Sequence, residues 1–145
     1  MQLSEHFSFE ELTASEVAAR HRIDNTPPIS FDANLRHLAE GLEDVRAILG
    51  DHPMHITSGY RCHALNKLVN GQWESAHLQG LAADFICPAF GPPRKVCQAI
   101  VASGLNYQQV ILEFHAWTHI AFPRPGERGT RQALIIDGRG AMAWA

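Results

Sequence analysis

One apolar stripe constrains the fold of this chain more than any other part of the sequence. Between residues 35 and 49, leucine or valine recurs at three- and four-residue spacing, and Gly50 follows directly. That spacing puts the apolar side chains on one face of a helix of about five turns, and a glycine commonly ends such a helix. We therefore predict a structural helix that packs this face against a core. The stripe consists of Leu35, Leu38, Leu42, Val45 and Leu49.

The segment before this helix carries signals for shorter helices. Ser8 and Thr13 each stand three residues before a glutamate, which is the spacing of a capping box. Two short helices are predicted, the second reaching about Arg20. The pair Pro27–Pro28 breaks the helical pattern, and Ser30 is a suitable N-cap for the long helix.

Strand-like runs dominate the sequence after residue 50, with helices predicted over residues 61–69 and from Pro92 to Gly104. Helices that come first and strands that cluster later are typical of the α+β class, so we predict a small, mostly antiparallel sheet flanked by helices. The runs over residues 108–114 and 117–122 predict a hairpin, and the run over residues 131–136 predicts a last edge strand. The runs are residues 54–58, 81–86, 108–114, 117–122 and 131–136.

Length and composition fit one globular domain. The chain has 145 residues, and 46% of them are hydrophobic, which is enough to bury a core. We predict a single domain, 1–145, with a helical start over 1–50, a core over 51–122 that carries the candidate site, and a tail over 123–145.

Net charge and targeting signals limit the classes of partner that the chain is expected to bind. The net charge of -3 argues against a nucleic-acid binder, and no run approaches the roughly 20 apolar residues of a membrane span. The three cysteines form no CxxC pair, so no thiolate zinc site is predicted, and their odd number fits a reduced compartment. The first residues show no signal peptide, so we expect synthesis in the cytoplasm. We expect a monomer that binds neither nucleic acid nor membrane.

The segment 75–84 carries the candidate metal ligands. His77 and Asp84 lie seven residues apart on either side of Gly80, and His119 follows in a strand-like run. A single histidine is usually a satisfied or exposed side chain. Two imidazoles and one carboxylate, with a position left open for water, form the ligand set of a catalytic zinc site.

A hydrolase also needs an acid–base group, and Glu113 is the first candidate. If the hairpin turn is centred near Ala116, Glu113 and His119 become cross-strand neighbours. His115 is the alternative base, or a donor to a developing oxyanion. A solvated carboxylate at the end of a strand is the structural alternative for Glu113.

Substrate contacts are expected from residues near these ligands. Arg61 can hold a carboxylate or a carbonyl oxygen in fork geometry, and Ser75 can bond to substrate backbone. Tyr60 is a further substrate-binding candidate. Trp117 and Trp73 can line a cleft, although each suits a core equally well.

Four groups of residues resemble the zinc D-Ala-D-Ala peptidase family, including its phage endolysin members. They are Ser58–Arg61, Asn66 with 69–71, Ser75–His77 through Gly80 to Asp84, and Trp117–His119. The resemblance runs from about residue 3 to residue 122, since the helical start resembles a phage and prophage branch. It implies a hedgehog/DD-peptidase-like fold.

The resemblance also implies a function. One Zn²⁺ would be held by His77, Asp84 and His119, with Glu113 as general base and Arg61 on the substrate. Members of the family cleave peptide bonds in bacterial peptidoglycan, so a D-Ala-D-Ala carboxypeptidase or an endopeptidase, in a phage or prophage endolysin or another cell-wall enzyme, is expected.

A different class of protein shares this fold. The hedgehog signalling domain resembles it and carries a similar zinc site, yet works through protein binding. The alternative is therefore a non-catalytic, zinc-stabilised binding or structural module. Glu113 and Arg61 favour the enzyme, because a structural zinc needs neither.

Overall fold

The computed structural model describes residues 1–72 and 75–144. Within these ranges no helix combines the length and the apolar character that crossing a membrane requires. The helices are α1 (Phe9–Thr13), α2 (Glu16–Arg20), α3 (Asp32–Ile48), α4 (His63–Leu68) and α5 (Pro93–Ala102). The strands are β1 (His55–Ser58), β2 (Ala82–Ile86), β3 (Gln109–Glu113), β4 (Trp117–Ala121), β5 (Gln132–Asp137) and β6 (Gly140–Ala143).

The described strands form one mixed sheet in the order β1-β2-β4-β3-β5-β6. The pairing of β3 with β5 is parallel and the other pairings are antiparallel. The predicted α+β class with a mostly antiparallel sheet is therefore confirmed. The prediction of a last edge strand over residues 131–136 is wrong, because β5 lies inside the sheet and β6 forms the edge.

The core lies on one face of the sheet. All five residues of the predicted stripe are fully buried, four of them within α3 and Leu49 at its C-cap, as the spacing requires. They pack in one cluster with alternate residues of three strands, Phe85, Leu112 and Ile120. Each such side chain contributes roughly 1.5–3 kcal/mol when it leaves water. Since successive side chains of a strand point to opposite faces, the residues next to these in sequence face away from the core.

The helix starts follow the predictions in part. Ser8 forms the predicted capping box with Glu11 at the start of α1. The capping role of Thr13 is wrong, because its hydroxyl donates to Phe9 O within α1 and Ser15 caps α2. The capping role of Ser30 is also wrong, since a short 3-10 turn over Ile29–Phe31 leads directly into α3.

Candidate metal centre

Three side chains from separate elements converge on the face of the sheet opposite the core. His119 Nδ1 lies 3.0 Å from Asp84 Oδ1, and His77 Nε2 lies 3.3 Å from the same oxygen. The two imidazole nitrogens are 3.2 Å apart. The potential ligand atoms of these residues all lie within 4.8 Å of one another. The structure thus brings together the three residues that the sequence marked as metal ligands.

Strand register places two of the three. Asp84 on β2 is the direct partner of His119 on β4, and directly opposed side chains of an antiparallel pair lie close together on one face. His77 comes from a 3-10 turn over Ala76–Gln79, where Ser75 Oγ accepts from His77 N. Gly80 ends this turn at φ 72°, a left-handed conformation that suits glycine. The turn returns the chain to β2 with the imidazole above Asp84.

The Gly59 carbonyl fixes the His77 ring. Nδ1 of His77 lies 2.7 Å from Gly59 O, and because a carbonyl only accepts, this nitrogen carries the proton. Nε2 therefore presents a lone pair toward Asp84 and His119, as a metal-binding histidine requires. A side chain at residue 59 would bring its Cβ within 2.2 Å of Leu12 O. Glycine is consequently needed where the carbonyl supports His77.

The donor chemistry of the three residues fits zinc. Imidazole nitrogens and a carboxylate oxygen are common zinc ligands. Burial, opposed by Asp84, lowers the pKa of His77 and keeps its imidazole neutral. Burial alone would raise the pKa of Asp84, but His77 and His119 outweigh it and hold this pKa below its ordinary value. The centre thus offers two imidazole nitrogens and an ionised carboxylate.

Glu113 stands beside this centre at the end of β3. Its Oε1 lies 4.0 Å from His119 Nδ1. The predicted cross-strand pairing of Glu113 with His119 is wrong, because His119 pairs with Ile111 and Glu113 pairs with Trp117. Glu113 still shares a face with His119, since it lies two residues from Ile111. Burial and the charge of Asp84 raise the pKa of Glu113 against the opposing effect of His119 and Arg61.

His115 lies in the hairpin turn, away from the three ligands. It is exposed at φ 55°, next to Phe114 at φ 53°. Arg139 and, to a smaller degree, His115 lower the pKa of Asp137. Within residues 1–72 and 75–144, no hydrogen bond or ion pair joins it to the metal centre. Its catalytic role stays a prediction.

The aromatic candidates lie in different surroundings. Trp117 begins β4 on the His119 face, and its ring centroid is 5.8 Å from that of Phe114. Trp73 lies outside the described residues. Tyr60 is buried in the core, with its ring 6.2 Å from that of Phe31. The substrate-binding roles of Trp117 and Tyr60 stay predictions.

Arg61 lies beside the centre and is held by its neighbours. Its backbone N–H donates to His77 O at 3.0 Å, and its Nη2 lies 3.4 Å from Ser75 Oγ. Burial lowers the pKa of Arg61, while the charges of Asp84 and Glu113 act to raise it. Its buried Nε has no hydrogen-bond partner in the described part of the chain. A cation with a spare donor therefore lies next to the carboxylates.

Asn25 supports this region, a role that was not predicted from the sequence. Its Nδ2 donates to Thr13 O and Tyr60 O, each at 3.0 Å, and its Oδ1 accepts from Cys62 N at 2.8 Å. One side chain thus joins the helical start to the segment around Arg61. The available sequence signal was an asparagine shortly before Pro27–Pro28. An asparagine at such a position is commonly an ordinary turn residue.

Comparison with known proteins supplies the family. A family model described as Peptidase M15 matches residues 5–121. No protein in the curated set matches the chain. The matched range includes the helical start, both histidines and the aspartate of the centre, Glu113 and Arg61. Because this match covers most of the chain and contains the whole centre, the chain belongs to the peptidase M15 family.

Proposed function

We propose that this protein is a zinc-dependent peptidase that hydrolyses peptide bonds in bacterial peptidoglycan. The family supports a peptidase. The observation that carries the proposal is the convergence of His77, Asp84 and His119 at 3.0 to 3.3 Å. A carboxylate and a guanidinium beside three metal ligands are the groups that peptide hydrolysis needs.

A zinc ion held by His77, Asp84 and His119 supplies Lewis acidity, which polarises a carbonyl group and acidifies water. Glu113 is the proposed general base. It takes a proton from the attacking water and passes that proton to the leaving amine. Burial raises its pKa, which improves a carboxyl group for both steps, because a catalytic pKa nearer the working pH serves acid and base alike.

Arg61 is the proposed substrate-binding residue. Its guanidinium can donate in parallel to a carboxylate or to carbonyl oxygens. Ser75 holds one nitrogen of the fork, and the buried Nε has a donor to offer. Charge-assisted hydrogen bonds of this kind orient the peptide so that its carbonyl carbon faces the attacking water.

Purified peptidoglycan sacculi test the proposal. The zinc-loaded protein should release peptides or terminal D-alanine, identified by mass spectrometry, and a chelator should stop the release. The matched control is Glu113→Ala loaded with zinc, which should bind the metal and release nothing. Absence of new amines across several wall types would refute the peptidase.

The rival proposal is a zinc-stabilised binding or structural module. Such sites are usually closed by four protein ligands, whereas the described residues bring three together. A module would bind zinc and sacculi without cleavage. The positions of Glu113 and Arg61 beside the ligands favour the enzyme. Action at the cell wall and an endolysin role belong to the same proposal and rest on the resemblance of the sequence.

A further inference from the structure

We propose that a groove beside the metal centre binds the part of the substrate peptide that continues beyond Arg61, which makes the protein an endopeptidase. This inference rests on the proposed function. The groove lies between α2, α4 and the edge strand β1, and its volume is about 480 Å³. A volume of this size lies within the range of sites that bind small ligands.

Two residues connect the groove to the segments that carry the metal centre. Arg61 lines the groove and also holds Ser75 beside His77. On the β1 wall, Thr57 lines the groove, and its hydroxyl donates to Asp84 O at 3.2 Å. The groove therefore begins at residues that contact Ser75 and Asp84, and under this proposal a peptide that passes Arg61 enters it.

The lining of the groove specifies an extended, acidic peptide with small side chains. Its cations are Arg20 and Arg61, and its apolar surface comes from Ala14, Val17, Ile56, Leu65 and Val69. Among residues 1–72 and 75–144, Glu16 is the one carboxylate in the lining and His55 the one imidazole. Alanine methyl groups suit the apolar surface, and free carboxylates suit the two arginines.

The position of β1 supports the same ligand. This strand is at the edge of the sheet, and an edge strand presents backbone groups that an extended peptide can pair. A carboxypeptidase needs the substrate to stop near its binding arginine. Here Arg61 has the metal centre on one side and the groove on the other, so it would hold an internal carboxylate or carbonyl group.

Two neighbouring residues give a matched test. Val69 lines the groove and is 38% exposed, whereas Leu68 is 42% exposed and does not line it. Val69→Trp should fill the groove, and Leu68→Trp is the control. The probes are a disaccharide-tetrapeptide monomer and its cross-linked dimer, both from a muramidase digest. Binding is measured by calorimetry with zinc-loaded Glu113→Gln as the common background.

The groove predicts a selective loss of affinity. Val69→Trp should weaken binding of the dimer about tenfold or more, which corresponds to about 1.4 kcal/mol. Binding of the monomer should change little, and Leu68→Trp should change neither. Equal effects of the two variants, or no binding of the dimer by the background protein, would overturn the groove. Release of terminal D-alanine as the sole product of the native protein would overturn the endopeptidase.

A charge variant covers the case in which Val69→Trp does not fold. Arg20→Glu changes a cation of the groove, and Arg36→Glu is its exposed control outside the lining. Only Arg20→Glu should weaken binding of the dimer. If Arg20→Glu alone weakens binding of the dimer but the native protein cleaves no wall type, the groove is supported and the peptidase is refuted. Failure of the groove and failure of the peptidase are therefore distinguishable.

Discussion

Asp84 and His119 face each other directly across β2 and β4, with Oδ1 and Nδ1 3.0 Å apart. Their meeting depends on strand register alone. A slip of one residue would turn His119 toward the core and bring Ile120 to the metal centre, because side chains alternate between faces. The hydrophobic side chains that set the register of the sheet therefore also assemble the metal centre.

Zinc should stabilise the protein through these ligands. A ligand that binds only the folded state adds about 4 kcal/mol at a free concentration a thousandfold above its Kd. We expect zinc to raise the melting temperature of the native protein, and a chelator to reverse the rise. Asp84→Asn should lose most of this response. His63→Ala, an exposed histidine on α4, should keep it; an equal response in all three proteins would contradict the centre.

The activity should have an acid limb set by Glu113. Burial and Asp84 raise the pKa of Glu113 above its ordinary value of 4.5, and a base must be ionised to act. The rate constant kcat should therefore fall as the pH falls through the pKa of Glu113, which a bound zinc ion would lower from its metal-free value. A pH–rate profile at saturating substrate measures it. Glu113→Gln cannot ionise, so turnover of this variant with the same acid limb would count against Glu113 as the base.

The same carboxyl group should lower stability at neutral pH in the metal-free protein. A raised pKa means that the folded state holds this proton more tightly than the unfolded state does. The free energy of unfolding then falls as the pH rises from 4.5 through the folded pKa. Glu113→Gln removes this contribution, so its stability should decline less over that window. Urea denaturation across the pH range compares the two; parallel curves would contradict the raised pKa.

Gly59→Ala should damage both the fold and the metal centre. The added Cβ would lie 2.2 Å from the Leu12 carbonyl oxygen, and relief of such overpacking costs about 1–3 kcal/mol. Movement of residue 59 would also displace the carbonyl that orients His77. We expect a lower denaturation midpoint and weaker zinc binding. Gly104→Ala is the control, since nothing lies within 4 Å of a Cβ placed there.

The variant His115→Gly distinguishes an effect of residue 115 on the stability of the turn from an effect on catalysis. A left-handed residue other than glycine costs about 1–2 kcal/mol, and glycine gives back about 0.5–1 kcal/mol of chain entropy. Stability should therefore rise by about 0.5–1 kcal/mol, measured by urea denaturation. Turnover should stay close to the native rate, because Glu113 is the proposed base. A loss of turnover as large as that of Glu113→Ala would make His115 the base instead.

The sequence was informative where one local pattern decides the structure. The three-four spacing of Leu35 to Leu49 predicted α3, and the two strand-like runs over 108–114 and 117–122 predicted the hairpin that carries His119. The ligand trio came from residue types and from family resemblance, since spacing alone does not bring His77 to His119. The contact is made by the β2–β4 pairing, which joins residues far apart in the chain.

The predictions were wrong where the structure depends on residues far apart in the chain or on an unusual backbone conformation. The hairpin turn places Phe114 and His115 in left-handed conformations, which Asn-Gly pairs usually signal, so the cross-strand partner of Glu113 was predicted two residues away from the observed one. The strand β6 was missed because Gly140–Ala143 is made of small residues with little strand preference. Its pairing with β5, rather than its own composition, makes it a strand.

The strand β5 lies beside the metal centre but contributes none of its three candidate ligands. Leu134 and Ile136 pair with Ile111 and Glu113, so their side chains share the face of the metal ligands while β5 itself supplies no ligand. Substitutions there would reshape the wall beside Glu113 and leave the chemistry intact. Mutation at these two positions can thus change the shape of the site during evolution without removing a metal ligand.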